Sequence, residues 1–226
     1  MYRTRMNKYF AKKKRRVVGE SLQEAELKRA NGWVRIHASS KTQLLTYESQ
    51  GFVTAINGSG SLDIAHSQCT EARQLAEYVA QQGGIVLTGG RNGGIMESAS
   101  MGAQEKSVGI IFPELKPAST HRSLLSIVNA PPARTELLAT CSPFIFVFRG
   151  GVGTLMILMR AVVHLHNRRY HPEQPPQALF VSQYWIPLLS SMKSMGCLPA
   201  EFLKEIQFFD TAASATKILS SFITKA

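Results

Sequence analysis

From residue 51 onward the chain alternates short apolar runs with longer amphipathic stretches, which predicts strand and helix in turn. The apolar runs are Phe52 to Ile56, Ile85 to Thr88, Val108 to Phe112, Phe144 to Phe148, Ala178 to Val181 and Ile206 to Phe209, all of strand length. Between the first two, His66 to Gln82 carries Ala72, Leu75, Ala76 and Val79 on one helical face, and Gly83-Gly84 stops it. Further helices are predicted up to about Glu105, and over Ala133 to Cys141, Thr154 to His166, Trp185 to Met195 and Ala212 to Ile223. Residues 114–133, with Pro117, Pro131 and Pro132, read as loop, as does 167–176. Upstream, Ser21 is expected to cap a helix through Ala30, with Glu24 completing a capping box and Asn31-Gly32 ending it. A second short segment is expected near Lys41 to Ser49, and residues 1–18 read as disordered. The chain thus divides into an N-terminal arm with short helices, 1–50, and an α/β domain, 51–226.

Strands that alternate with helices predict a doubly wound, mostly parallel α/β sheet with helices on both faces. Ligands in such sheets bind beyond the carboxyl ends of the strands. Two glycine-rich turns fall at that edge. One is Thr88-Gly89-Gly90-Arg91-Asn92-Gly93-Gly94-Ile95-Met96-Glu97; the other is Phe148-Arg149-Gly150-Gly151-Val152-Gly153-Thr154. Strand, glycine turn and helix aim backbone N–H groups and a positive helix end at an anion. Two such turns in one domain point to a phosphate-bearing ligand held between them.

Composition narrows the class. The 226 residues are 44% apolar and 18% charged, as in ordinary globular proteins. No apolar run reaches the roughly 20 residues that cross a bilayer, so no membrane association is expected. There is no secretory signal at the N-terminus, and Cys69, Cys141 and Cys197 are few and far apart, which together predict a cytoplasmic protein with reduced thiols. The net charge of +11 is uneven: residues 1–45 hold twelve Lys/Arg and three Glu, +9, leaving +2 for the rest. The run Lys12 to Arg16 is either a solvated, partly disordered tail or a salt-sensitive contact for nucleic acid or an acidic membrane surface.

The glycine turns resemble those of the Lonely Guy (LOG) proteins, often labelled lysine decarboxylases, and of the related nucleotide 5′-monophosphate nucleosidases. The first family motif, GGGxxGxM followed by Gly-Ala, is matched by Gly89, Gly90, Gly93, Ile95, Met96, Gly102 and Ala103, with Arg91 at the third glycine. The second, PGGxGTxxE, is matched by Gly150, Gly151, Gly153 and Thr154. Arg134 stands fifteen residues before Arg149, where the family has an arginine. Asn57-Gly58-Ser59-Gly60-Ser61 is similar to the family's first loop, and Tyr184-Trp185 to its late aromatic pair. The resemblance implies a Rossmann-like fold, a dimer, and metal-independent, cofactor-free cleavage of a nucleoside 5′-monophosphate to base and ribose 5-phosphate.

Two positions depart from that pattern. The motif's glutamate is Ile157 here, and its proline is Arg149. An oxocarbenium-like transition state needs a carboxylate beside the ribose. Losing one positioned acid or base costs roughly 10²–10⁴ in rate. Glu97 is the carboxylate nearest the motifs; it either faces the ligand or favours its helix N-terminus. Glu114 and Glu136 are further candidates by placement alone. Arg149 adds a cation beside the phosphate cradle or points to solvent. His164, His166 and His171 do not share one helical face, and Arg168 and Arg169 would repel a cation, so no metal is expected.

The expected site is therefore Gly58, Ser59, Gly89, Gly90, Gly93, Arg149, Gly150, Gly151, Gly153 and Thr154 for phosphate, with Arg134 and Glu97 as the catalytic candidates. The favoured reading is nucleotide binding with hydrolysis lost or reduced. The alternatives are an active phosphoribohydrolase and a nucleic-acid-binding module of the DNA-processing type. The almost wholly apolar helix Leu155 to Leu165 predicts a homodimer.

Overall fold

The computed structural model describes residues 23–29, 32–38, 43–47, 52–111, 114, 115, 119, 121, 124–127, 131–167, 170 and 177–223. The expected disorder of 1–18 lies outside them. The first three strands, β1 (Gln23–Arg29), β2 (Gly32–Ala38) and β3 (Gln43–Tyr47), form an antiparallel sheet in the order β1-β2-β3. This corrects the short helices expected for the arm. Glu24 does not complete a helix cap; Gln23–Arg29 is extended and pairs residue by residue with Gly32–Ala38. Residues 24–28 and 34–37 alternate polar and apolar side chains, a period-2 pattern that outweighs the capping-box signature.

The second sheet carries the candidate site. Its strands are β4 (Val53–Asn57), β5 (Ile85–Thr88), β6 (Ser107–Ile111), β7 (Leu124–Ile127), β8 (Phe144–Val147), β9 (Ala178–Ser182) and β10 (Ile206–Phe209). They lie in the order β10-β9-β8-β4-β5-β6-β7, and every neighbouring pair is parallel. The helices are α1 (Ser67–Gln81), α2 (Gly94–Ala103), α3 (Pro131–Thr140), α4 (Val152–Asn167), α5 (Ile186–Ser194), α6 (Ala200–Glu205) and α7 (Ala212–Ile223). The doubly wound parallel α/β architecture expected from the sequence is what forms. β7, within the stretch read as loop, extends it by one strand: Leu124 to Ile127 pairs with Val108 to Ile111. Only four residues long and followed within a few positions by Pro131-Pro132, it gave no pattern to distinguish it from loop.

Both faces of the sheet are sealed by apolar side chains, since alternate strand residues point to opposite sides. Val53, Ala55, Ile145 and Val147 pack with Leu137 and Leu138 of α3 and Ile157, Leu158 and Ala161 of α4. Ile56, Phe144 and Phe146 face the other way, onto Leu75 and Val79 of α1 and Leu219 of α7. The parallel register sets Phe146 opposite Phe180, and their rings stack with centroids 4.3 Å apart. Helix α1 starts one residue later than expected because His66 serves as its N-cap, Nδ1 accepting from Gln68 N–H at 3.1 Å.

The order of the strands locates the switch in winding. From β4 the chain moves outward through β5, β6 and β7, then returns to the other side of β4 as β8 and moves outward again. The loops after β4 and β8 therefore diverge, and the crevice they leave is where such folds hold ligands.

Candidate functional site

The loops at this crevice are tied into one unit. Ser59 N–H, after β4, donates to the Arg149 carbonyl, after β8, at 2.9 Å. Ile95 N–H, at the start of α2, donates to the Ser59 carbonyl at 2.8 Å. The Gln68 amide bridges the next two loops, Oε1 accepting from Arg149 N–H at 2.9 Å and Nε2 donating to Ser182 Oγ at 3.2 Å. Trp185 Nε1 donates to the Phe148 carbonyl at 2.9 Å. Gly58, Ser59 and both glycine turns thus meet at one edge of the sheet.

The two turns are built differently. In the first, packing accounts for the glycines. A Cβ on Gly89 would overlap the Arg134 guanidinium and the Met96 sulfur, and one on Gly94 would overlap the Ser59 carbonyl. Gly90 and Gly93 have φ of +69° and +149°, and a Cβ on Gly93 would stand 2.6 Å from the Gly60 carbonyl oxygen. Gly58 clears the Ile95 side chain, whose nearest atom would lie 2.6 Å from an added Cβ. Besides Ile95 N–H, two amides are already engaged, Gly90 N–H with Thr88 Oγ1 at 3.1 Å and Glu97 N–H with the Gly93 carbonyl at 3.2 Å. The second turn is open. A Cβ on Gly151 or Gly153 would meet nothing within 4 Å, and neither residue has a left-handed φ. Helix α4 begins here without a Ser, Thr, Asp or Asn cap. Leu155 N–H bonds back to the Gly151 carbonyl, so the preceding amides of Val152, Gly153 and Thr154 have no partner within the helix. Thr154 is buried and folds back over Gly150.

Arg134 is anchored rather than free. From the first turns of α3 its Nε donates to the Ile110 carbonyl and its Nη2 to the Gly89 carbonyl, both at 2.8 Å, and Nη2 lies 3.5 Å from Met96 Sδ. Burial, and then the like charge of Arg91, push its guanidinium down from the usual arginine range to about 10. Arg91 lies over Gly60, with Nη1 3.6 Å from the position of an added Cβ, and its Nε is buried without an acceptor. Its sequence signal was the replacement of the motif's third glycine, which the choice of site residues passed over. Arg149 is exposed, its guanidinium 5.1 Å from the centroid of the Tyr184 ring.

Ile157, at the motif's glutamate position, is buried in the apolar cluster between α3, α4 and the sheet. Glu136 is bound bidentately by Arg160 of α4. Glu114 is exposed. Glu97 is buried in the first turn of α2, with Oε1 3.7 Å from His121 Nε2 and Oε2 without a partner. At the end of β4, buried Asn57 donates Nδ2 to the Leu138 carbonyl at 3.3 Å while its Oδ1 has no partner. His166 packs its ring against Phe202, centroids 4.3 Å apart. A separate cleft of about 210 Å³, between α1 and α2, is lined by Ile64, Cys69, Thr70, Arg73, Ser98 and Met101 and shares no residue with either turn's glycines.

Comparisons with known proteins agree with this architecture. A family model, LDcluster4, described as the SLOG cluster4 family, matches residues 52–166, which contain both turns. Among solved structures, the molybdenum cofactor binding protein from the phototrophic bacterium Rippkaea orientalis aligns with TM-score 0.59 at 22% identity, over 76% of this chain and 98% of that one. The molybdenum cofactor carrier protein from Chlamydomonas reinhardtii aligns with TM-score 0.59 at 21% identity, over 77% and 99%. The protein TM1055 aligns with TM-score 0.53 at 17% identity, over 75% and 99%. At these identities the likeness is one of fold. No curated protein matches by sequence.

Proposed function

The chain belongs to the SLOG cluster4 family, and on that premise we propose that it holds a phosphate-bearing nucleotide or cofactor at the second glycine turn without cleaving it. The observation that carries this reading is the openness of Gly151 and Gly153. Neither has a neighbour within 4 Å of its missing Cβ, nor a φ that demands glycine. Alanine would suit the start of α4 better by about 0.5–1 kcal/mol if only the protein's own fold were at stake. A phosphate resting on the amides of Val152, Gly153 and Thr154 supplies the reason for bare backbone there. Gly150 and Thr154 shape the turn, while Ser59 and Arg149 flank it. Gly58, Gly89, Gly90 and Gly93 support the cradle from below by letting the loops approach one another.

The absence of cleavage rests on the carboxylates. Ile157 is buried in hydrocarbon and Glu136 is neutralised by Arg160. A binding role also accords with the names of two structural neighbours, a binding and a carrier protein for the molybdenum cofactor. The test is a thermal-shift panel of nucleoside monophosphates and molybdenum cofactor, paired with an assay for released base. A rise in Tm without base release is expected. Turnover, or no shift with any phosphate ligand, would remove the proposal.

One observation favours a second reading, an active phosphoribohydrolase: Glu97 is a buried carboxylate with a free oxygen, a few residues from the first turn. Base release that disappears in Glu97→Gln would establish it. A third, nucleic-acid binding through the arm at 1–50, has the charge of that segment in its favour, and loss of binding at low salt on deleting residues 1–18 is its test. We further propose a cytoplasmic homodimer. On α4, Val152, Met156 and Val163 stand 76%, 54% and 48% exposed, an apolar stripe that a second copy would cover. Sedimentation at micromolar concentration should give about twice the 24.9 kDa chain mass.

A further inference from the structure

Beside the open glycine turn lies a second concentration of positive charge that the proposed phosphate does not use. Met96 stands between two loops, its Cε 2.5 Å from the position of a Cβ on Gly60 and its sulfur against Gly89. A guanidinium lies on each side of that thioether. Arg134 covers Gly89, with Nη2 3.5 Å from Met96 Sδ. Arg91 covers Gly60, with Cδ and Nη1 3.5 and 3.6 Å from the added Cβ. Among the described residues no carboxylate pairs with either arginine.

Two cations share this space, both of them partly buried. Burial and the mutual repulsion both weaken the charged form of Arg134. Its donors to protein carbonyls are Nε and Nη2, and a guanidinium carries five N–H groups in all. Arg91 Nε, buried without an acceptor, is a further unused donor. Arginine also stands where the resembling family keeps a glycine, so the second cation belongs to this chain rather than to the motif. An anion placed between the two would offset the repulsion and accept the idle donors, of which Arg91 Nε is buried.

We infer that Arg91 and Arg134 form a second anion subsite, and that the ligand carries two separated anionic groups rather than one phosphate on a neutral body. The first group occupies the second glycine turn, so the inference rests on the proposed function. The turn follows β8, Arg134 lies against Gly89 at the end of β5, and Arg91 reaches over Gly60 in the loop after β4, which stands between them. One to two strand spacings put the subsites about 5–10 Å apart. Nucleotides phosphorylated at both ends, and dinucleotides with terminal phosphates, meet that requirement.

Calorimetric titration of the full chain with AMP, adenosine 3′,5′-bisphosphate and the doubly end-phosphorylated dinucleotide pApAp tests it. At least one bisphosphate should bind tenfold or more tighter than AMP. Arg91→Gly should bring that ratio close to one, and Arg91→Lys, which keeps a cation, should retain part of it. Bisphosphates that bind no tighter than AMP overturn the inference while leaving the phosphate reading standing. So does a ratio that survives Arg91→Gly. If Arg91→Gly does not fold, the wild-type ratio and its decline with added salt decide the matter, because an extra ionic contact steepens the salt dependence. If none of the three binds at millimolar concentration, the phosphate reading falls and this inference with it.

Discussion

Substituting alanine for glycine separates structural glycines from ligand glycines in this protein. In Gly89→Ala the added methyl would occupy the space of Arg134 Nη2 and Met96 Sδ. The guanidinium must withdraw, giving up its 2.8 Å bond to the Gly89 carbonyl and straining the 2.8 Å bond to the Ile110 carbonyl. A hydrogen bond to a charged group contributes about 1.5–3 kcal/mol, and a stranded carbonyl adds to the loss. The expected destabilisation is about 3 kcal/mol. For a chain of this size each kcal/mol moves Tm by about 2–4 °C, so Tm should fall by roughly 6–12 °C. Gly151→Ala and Gly153→Ala meet no atom within 4 Å and no left-handed φ. Their stability should stay within about 0.5 kcal/mol of wild type or rise by up to about 1 kcal/mol. Their methyls would nevertheless stand where a phosphate must approach, and affinity should drop at least tenfold. Differential scanning calorimetry and ligand titration on the three variants measure both quantities. If Gly151→Ala and Gly153→Ala bind as tightly as wild type, the anion does not rest on the second turn. An unchanged Tm in Gly89→Ala would refute the anchoring of Arg134.

Other variants and conditions probe the same edge of the sheet. Restoring the motif acid with Ile157→Glu buries a carboxylate in an apolar cluster, and should cost at least about 3 kcal/mol without producing base release; a stable, hydrolytic variant would contradict the packing. Glu136→Gln breaks a half-exposed ion pair with Arg160 and should lower stability by only about 1 kcal/mol with ligand affinity unchanged, as titration and melting can verify. Arg134 has a folded-state value below its unfolded one, so its charge destabilises the fold below about pH 10, and that cost is relieved as pH rises above 10 toward the ordinary arginine range. An anion held by Arg134 needs the cation, so its affinity should be level from pH 7 to 9 and decline above about 10. Burial pushes the Cys141 thiol up to about 12 and also raises Cys69, whereas Cys197 is exposed, so thiol titration of the native protein should show one fast group.

Much of this architecture could be read from the chain because strands and helices repeat with different periods. The apolar runs at Ile85, Phe144 and Ala178 lie at β5, β8 and β9, within a residue or two. Parallel order and both glycine turns at the carboxyl edge follow from strand-helix alternation. The arm misled because Ser21 and Glu24 match a capping box, whereas the pairing of Leu27 with Val34 and of Ala25 with Ile36 decides the conformation. The difference between the two turns was not legible. Whether a glycine is needed for a neighbour or for a ligand depends on what faces its missing Cβ, as Met96 faces Gly60 and Gly89, and the pattern of residues carries no such information. Arg91 was overlooked for the same reason, since only folding brings it beside Arg134.

The Gln68 amide has two ends with opposite duties, an oxygen that accepts from the Arg149 backbone and a nitrogen that donates to Ser182. Chemical ageing that converted this side chain to glutamate would keep the acceptor and lose the donor. The loop after β9 would come loose, and a negative charge would appear beside the turn proposed to hold an anion. On that proposal, a stored sample would lose phosphate affinity well before its secondary structure, with a mass gain of about one dalton as the only visible mark.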